Sequence, residues 1–333
     1  MTTQTLKDFA LSMAVLGVAL IPSLSPAQVG LAPKLPGSRA ASSTAHAASR
    51  KAETPGSPTY TYTLLSHPGT LATYAYGMNK GATSSKVEIV GGYGTEGGFF
   101  AQVSGTKTIK EAYQTVDDPH GTQQWANGIN DLGQIVGGYL DSSGFYHGYE
   151  RSSSKFTQID VPFTGAFNTT AGSINNSGEI VGGYTATDGE QYGFTLIGGA
   201  YTSINYPGAT FTFAGNVNDN GDIVGWYTDA SGITHGFLLS GGTYTSLDFP
   251  GATETLAAGI NDAGDIVGVY CATSGCVGTL DGAQGFLLSG ETFATITIPG
   301  ESYTQAADIN NNGVVVGFYQ DAAGLVVSFM AAP

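Results

Sequence analysis

A twelve-residue word returning at a spacing near 43 residues predicts an all-β fold. The architecture expected is a six-bladed β-propeller of four-stranded blades, closed by an N-terminal strand that pairs into the last blade. Three observations carry this expectation. The word reads "GINDLGQIVGGY" from Gly128, "SINNSGEIVGGY" from Ser173, "NVNDNGDIVGWY" from Asn216, "GINDAGDIVGVY" from Gly259 and "DINNNGVVVGFY" from Asp308, with a divergent copy, "GMNKGATSSKVEIVGGY", from Gly77. Its aligned asparagines (Asn79, Asn130, Asn175, Asn218, Asn261 and Asn310) are separated by 51, 45, 43, 43 and 49 residues. Each period also holds four short β-like runs, such as "TETLAAGI", "DIVGVY", "QGFLLSG" and "TFATITIP" between Thr253 and Pro299.

The third observation concerns the ends of the repeat. The last unit, ending "GLVVSFMAAP", has no fourth run after it, whereas "YTYTLLSHP" from Tyr60 is a fourth run with no unit before it. If the orphan completes the last unit, the ring closes and no sheet edge is left half-built. Runs such as "IVGVY" and "GFLL" are almost continuously apolar, as expected where blades cover both faces of a small sheet.

In chain order, Lys7, the apolar run "FALSMAVLGVALI" and then "PSLSPA" read as an export signal over residues 1–27, with Ser25 and Ala27 before a cleavage point. An uncleaved anchor is the other reading, although the run is shorter than the roughly 20 apolar residues of a membrane span. Residues 28–59 are rich in Ala, Ser, Pro and Gly without hydrophobic period and read as a disordered tether. The propeller is expected over 60–333. Beyond residue 60 six basic residues face 24 acidic ones, a formal net charge of −18, which argues against nucleic acid as a partner. No second apolar segment follows, so stable membrane insertion is not expected either.

The word itself poses a question. Asn261, Asp262 and Asp265 crowd around Gly264, and Asp131 and Asp219 stand where Asp262 does. Read as turns, these residues supply a glycine for the left-handed position and side chains that accept nearby amide hydrogens. Read as chemistry, Asp131, Asp219, Asp262 and Asp265 are calcium ligands, although the further carboxylates and terminal Glu of an EF-hand loop are missing. No other cofactor is suggested. Cys271 and Cys276, in "YCATSGCVG", are expected to form a local disulfide within an insertion.

The combined motif "GINDxGxIVGxY" followed by "HGFLLSGGTYTSLDFPGA" (His235 to Ala252) resembles the HAF-type extracellular repeat of bacteria, named for its His-Ala-Phe word. Here that word appears as His235-Gly236-Phe237 and His147-Gly148-Tyr149, and without the histidine at Tyr192-Gly193-Phe194 and Gln284-Gly285-Phe286. The resemblance covers residues 60 to 333 and implies an exported β-repeat protein. It supplies no catalytic residues.

A function performed once per molecule is expected where the repeat is broken. "DDPHGTQQWANG" stands where another unit has "DFPGATETLAAG", placing Asp118, His120, Gln123, Gln124 and Trp125 at a connection between blades. An indole flanked by amides and carboxylates suits stacking on, and hydrogen bonding to, a sugar; a decayed repeat copy explains the same residues without a ligand. His147 and His235 read as strand residues that bond locally, Trp226 as packing, and Asp141, Asp229 and Asp321 as turn residues. The repeat region has only Arg151, too few arginines for a sialidase-like carboxylate site, and neither G-x-S-x-G nor H-E-x-x-H occurs. Two functions follow. One is a non-catalytic exported scaffold that binds a surface glycan or protein. The other is a polysaccharide hydrolase or lyase using the off-repeat acids Glu111, Asp117, Asp118, Glu150 and Glu301.

Overall fold

The structure is a computed structural model that describes residues 59–67, 70, 72–81, 87–94, 97–103, 113–116, 120–273, 282–298, 300–301 and 303–333. The expected signal and nearly all of the tether, together with Glu111, Asp117, Asp118 and Cys276, lie outside the described residues. The described part is all-β. A first strand, β1 (Thr61–Leu65), precedes a unit of β2 (Thr73–Met78), β3 (Val87–Tyr93), β4 (Gly97–Val103) and β5 (Gln114–Thr115). The second unit is β6 (Gln123–Ile129), β7 (Ile135–Leu140), β8 (Tyr146–Ser152) and β9 (Lys155–Ile159), and the third β10 (Phe167–Ile174), β11 (Ile180–Thr185), β12 (Gln191–Ile197) and β13 (Ala200–Ile204). The fourth is β14 (Phe211–Val217), β15 (Ile223–Thr228), β16 (Thr234–Ser240) and β17 (Thr243–Leu247), and the fifth β18 (Glu254–Ile260), β19 (Ile266–Cys271), β20 (Gln284–Ser289) and β21 (Thr292–Ile296). The sixth contains β22 (Tyr303–Ile309), β23 (Val315–Gln320) and β24 (Val326–Ala332), with β1 as its fourth strand. Among the described residues no helix is long and apolar enough to cross a membrane.

Within each unit consecutive strands pair antiparallel, and β1 pairs β24 with Thr61 opposite Ala332 and Leu65 opposite Ser328. The third and fourth units share a single parallel pairing, Gln191 with Phe211, which makes them one eight-stranded sheet. Each unit packs on the next, and β2 of the first packs on β22, β23 and β24 of the sixth. This is a propeller arrangement.

The repeated word follows from close packing at the centre. The innermost strand of every unit carries a bulge, for example between Ala214 and Asn216 and between Ala257 and Gly259. The bulged backbone turns a carbonyl toward the second strand, and a side chain at Gly225 or Gly268 would collide with the carbonyl of Phe213 or Leu256. The glycine of "IVG" is therefore demanded by backbone approach. The aromatic of the His-Gly-Phe word is a core plug: Phe99, Tyr149, Phe194, Phe237, Phe286 and Phe329 are all fully buried. Most core clusters lie between units rather than within them. Val136 and Ile159 of the second unit, for instance, pack with Ala171, Ile174 and Phe194 of the third.

The junction of the sixth and first units departs from the others. Lys80 stands where other units have the turn aspartate or asparagine, and Asp308 where others have glycine, serine or asparagine. The Lys80 ammonium is buried and donates to Asp308 Oδ1 and to the Ile309 carbonyl, while Asp308 Oδ2 accepts from the Met78 amide at 3.0 Å. Ser328 Oγ accepts from the Ala75 amide and donates to the Thr73 carbonyl, both at 2.7 Å. Tyr74, Tyr76 and Tyr303 surround Phe318. Because removing one partner of a buried ion pair strands the other charge, Lys80→Met is expected to lower stability by about 3–5 kcal/mol in urea unfolding. A loss well below that range would show that water replaces the ammonium.

Candidate functional site

The Asn-Asp turns join the first and second strands at one end of the ring. Within each turn the asparagine side chain caps its own loop: Asn261 Oδ1 accepts from Asp265 N at 2.9 Å, while Gly264 adopts φ 83° and its amide bonds the Asn261 carbonyl. The same side chains then reach across to the next unit. Asn130 Nδ2 donates to the Asn175 carbonyl, Asn175 to Asn218, Asn218 to Asn261 and Asn261 to Asn310, at 3.0 to 3.2 Å.

A second circle of bonds runs outside the first. The Asp131 amide donates to Asn176 Oδ1, Asn176 to Asp219, Asp219 to Asp262 and Asp262 to Asn311, at 2.8 or 2.9 Å. Lys80 offers no acceptor at its head, so the Asn311 amide bonds the Lys80 backbone carbonyl, and the Gly81 amide returns to Asp131. The proposed calcium ligands are thereby placed and occupied by N–H and O–H donors. Asn176 Nδ2 spans Asp131 and Asp219, Asn311 Nδ2 meets Asp262, and Asp265 takes Asn261 Nδ2 and Ser289 Oγ. Asp131, Asp219 and Asp262 stand in successive or alternate turns rather than around one point. Among the described residues no group of three or more His, Cys, Asp or Glu is placed to hold a metal ion.

At the opposite end, the connections between units and the turns between second and third strands come together. His147 and His235 each lie between two carboxylates there. His235 Nδ1 is 2.7 Å from Asp248 and Nε2 3.6 Å from Asp229; His147 Nδ1 is 2.9 Å from Asp160 and Nε2 3.4 Å from Asp141. The histidine thus ties the turn to the fourth strand, as its reading as a local bonding residue expects. Hydrogen bonding to Asp248, assisted by Asp229, raises the His235 pKa against the opposing effect of burial. Asp229 is lowered chiefly by the Ile233 amide, with the Ser231 amide and His235 adding to it.

Trp125 lies near the start of β6 at this same end. Its ring rests over Gly138, where any side chain would meet the indole, and stands 5.8 Å from the Tyr146 ring. Trp125 is half-buried, yet its Nε1 is buried without a partner among the described residues. The Tyr146 amide donates to Asn168 Oδ1 of the next unit at 2.8 Å, with Asn168 held at φ 54°. His120 and Gln123 are exposed and Gln124 half-buried, so the described members of the predicted patch share one rim. Trp226 packs 4.8 Å from Phe213, as expected for an interior residue. Glu150 accepts from Gln134 Nε2 beside the Asn turns, whereas Glu301 sits in the connection before β22 at the other end, so these two acids do not converge. Sequence reasoning passed over Asn127, Asn216, Lys80 and Asp308, although each breaks the repeat in its column.

No protein-family model matches the chain, and no curated protein matches it. Among solved structures it is similar to a triple arginine-to-alanine mutant of AofleA from Arthrobotrys oligospora, with TM-score 0.50 and 13% identity over 85% of this chain and 90% of that one. A fungal lectin from Aleuria aurantia, described as a six-bladed β-propeller with a fucose recognition mode, gives TM-score 0.48 and 12% identity over 77% of this chain and 91% of that one. A Trypanosoma rangeli sialidase in complex with sialic acid gives 0.48 and 8%, over 87% of this chain and 60% of that one. At such identities the first likeness shows the fold, a β-propeller, and nothing of the chemistry.

Two outcomes follow. Since the belt carboxylates already serve as acceptors, millimolar calcium in place of EDTA is expected to leave the thermal midpoint unchanged, while Asp219→Ala lowers stability by about 1 kcal/mol for the bonds it accepts. The raised pKa of His235 means that its contribution to stability is complete below the unfolded value near 6.5 and is lost as pH rises through the folded value. The midpoint difference between the wild type and His235→Gln should accordingly shrink from mildly acidic to alkaline pH; a constant difference would show that the imidazolium is not stabilised.

Proposed function

We propose that this chain is an exported, non-catalytic propeller of the HAF-repeat kind that presents its Trp125 rim to a surface glycan or protein. In this reading residues 1–27 direct export, residues 28–59 are a tether, β1 seals the ring, and Cys271 and Cys276 form a bridge within their loop. One observation carries the binding assignment: a half-buried indole stands at the break in the repeat, beside exposed His120 and Gln123. Gly138 below and Tyr146 beside the ring hold it in place. A rigid aromatic surface loses little conformational freedom on binding, and stacking is how aromatic residues recognise the flat faces of sugars. The charge of the repeat region favours a neutral or cationic partner over a phosphate polymer.

Glycan-array binding by the wild type is expected to be lost in Trp125→Ala and largely kept in Trp125→Phe, which retains an aromatic stacking face. Both variants should still unfold in one cooperative transition, which separates lost binding from lost folding. Unchanged binding in Trp125→Ala would remove this rim as the site.

A further inference from the structure

On the ring axis the innermost strands of all six units line a cavity of about 40 Å3. Three of its walls are amide side chains, Asn127, Asn216 and Gln305, only 7%, 5% and 4% exposed, and Gln305 Oε1 accepts from the Tyr303 hydroxyl. The nitrogen of each asparagine is committed to an acceptor: Asn127 Nδ2 donates to the Ala171 carbonyl at 2.8 Å, and Asn216 Nδ2 to Asp308 Oδ1 at 3.2 Å. That commitment fixes the amide orientation and leaves both Oδ1 atoms as buried acceptors with no partner among the described residues. The remaining walls include Tyr76, Phe213 and Trp226. Of the unit residues that could supply a positive charge here, Lys80 is already paired with Asp308.

We propose that this cavity is a site for one small monovalent cation of sodium, potassium or ammonium size. Two oriented carbonyl-type oxygens and aromatic walls both favour positive charge. The surplus of 24 acidic over six basic residues in the ring region lowers the cost of bringing a cation to its centre. The cavity is large enough for a few water-sized particles and too small for a sugar. No carboxylate stands free there for a divalent ion, since both Asp308 oxygens are engaged by Lys80, Asn216 and the Met78 and Ile309 amides. The site is independent of the Trp125 rim, so glycan binding can fail without touching it.

The test is thermal unfolding of the whole chain in sodium, potassium, ammonium and choline chloride at equal ionic strength, choline being too large to enter. The midpoint is expected to rise by about 2–4 °C in the preferred small cation relative to choline. Asn127→Leu and Asn216→Leu should abolish that difference. Sodium NMR line broadening by the wild-type protein, relieved on adding potassium or ammonium, reads the same site without relying on a variant that folds. Equal midpoints in all four salts with no broadening would overturn the proposal and assign the two oxygens to water. A cation-specific rise that survives in both variants would overturn it equally, by placing the ion elsewhere.

Discussion

A ring built from one chain depends on the junction where the chain's two ends meet. Every other unit is one continuous run of chain, whereas the sixth is assembled from both ends: β1 runs on into β2 of the first unit but is joined to β24 by strand pairing alone. The compensation is local and specific. Ser328 bonds the β2 backbone through its hydroxyl, Lys80 and Asp308 form a buried ion pair, and Phe318 sits among three tyrosines. A buried ion pair gives little net stability because desolvation offsets its attraction, but it is strongly selective for its partner. That is what the junction needs, since six similar units offer many near-equivalent surfaces to one another and, among the described residues, only this meeting joins a lysine to an aspartate.

The repeated word is the sum of several geometric demands. Its asparagine caps a turn and reaches the next unit, its neighbour accepts the previous unit's amide, its glycine makes room for a bulged strand, and its tyrosine crosses to the fourth strand, as Tyr184 does to Ser203 and Tyr227 to Ser246. The second to fifth units meet all of these demands, and in the first unit the Lys80 backbone carbonyl takes the place of the side-chain acceptor. The crowding of Asn and Asp that invites a calcium reading links turns around a circle: Asp131, Asp219 and Asp262 accept from neighbouring units, while Asp265 accepts from Asn261 and Ser289 of its own.

Most of the architecture was legible because it is periodic. The count of runs per period specified four strands, and the orphan run at Tyr60 pointed to β24, where β1 is found. The roles within the word were less legible, because a hydrogen bond from Asn176 to Asp219 joins residues 43 apart that no local rule pairs. The candidate rim was located by the break at residues 117 to 128, but the inward, buried placement of the indole N–H emerges only once neighbours are placed. The axial amides were missed for another reason. Asn127 and Asn216 look like ordinary polar letters in a polar word, and their burial follows from the bulge that turns them toward the axis.

The belt of turns also has a direction. Each amide in its outer circle donates to the following unit, from Asp131 through Asn176, Asp219 and Asp262 to Asn311, then by Lys80 and Gly81 back to Asp131. Hydrogen bonds aligned head to tail polarise one another. In a helix that alignment leaves a charged end at each terminus. Here the row returns to its start, so none of its amides is left at an open end. The strengthening that a row of aligned bonds brings is thus obtained without a pole that must be capped.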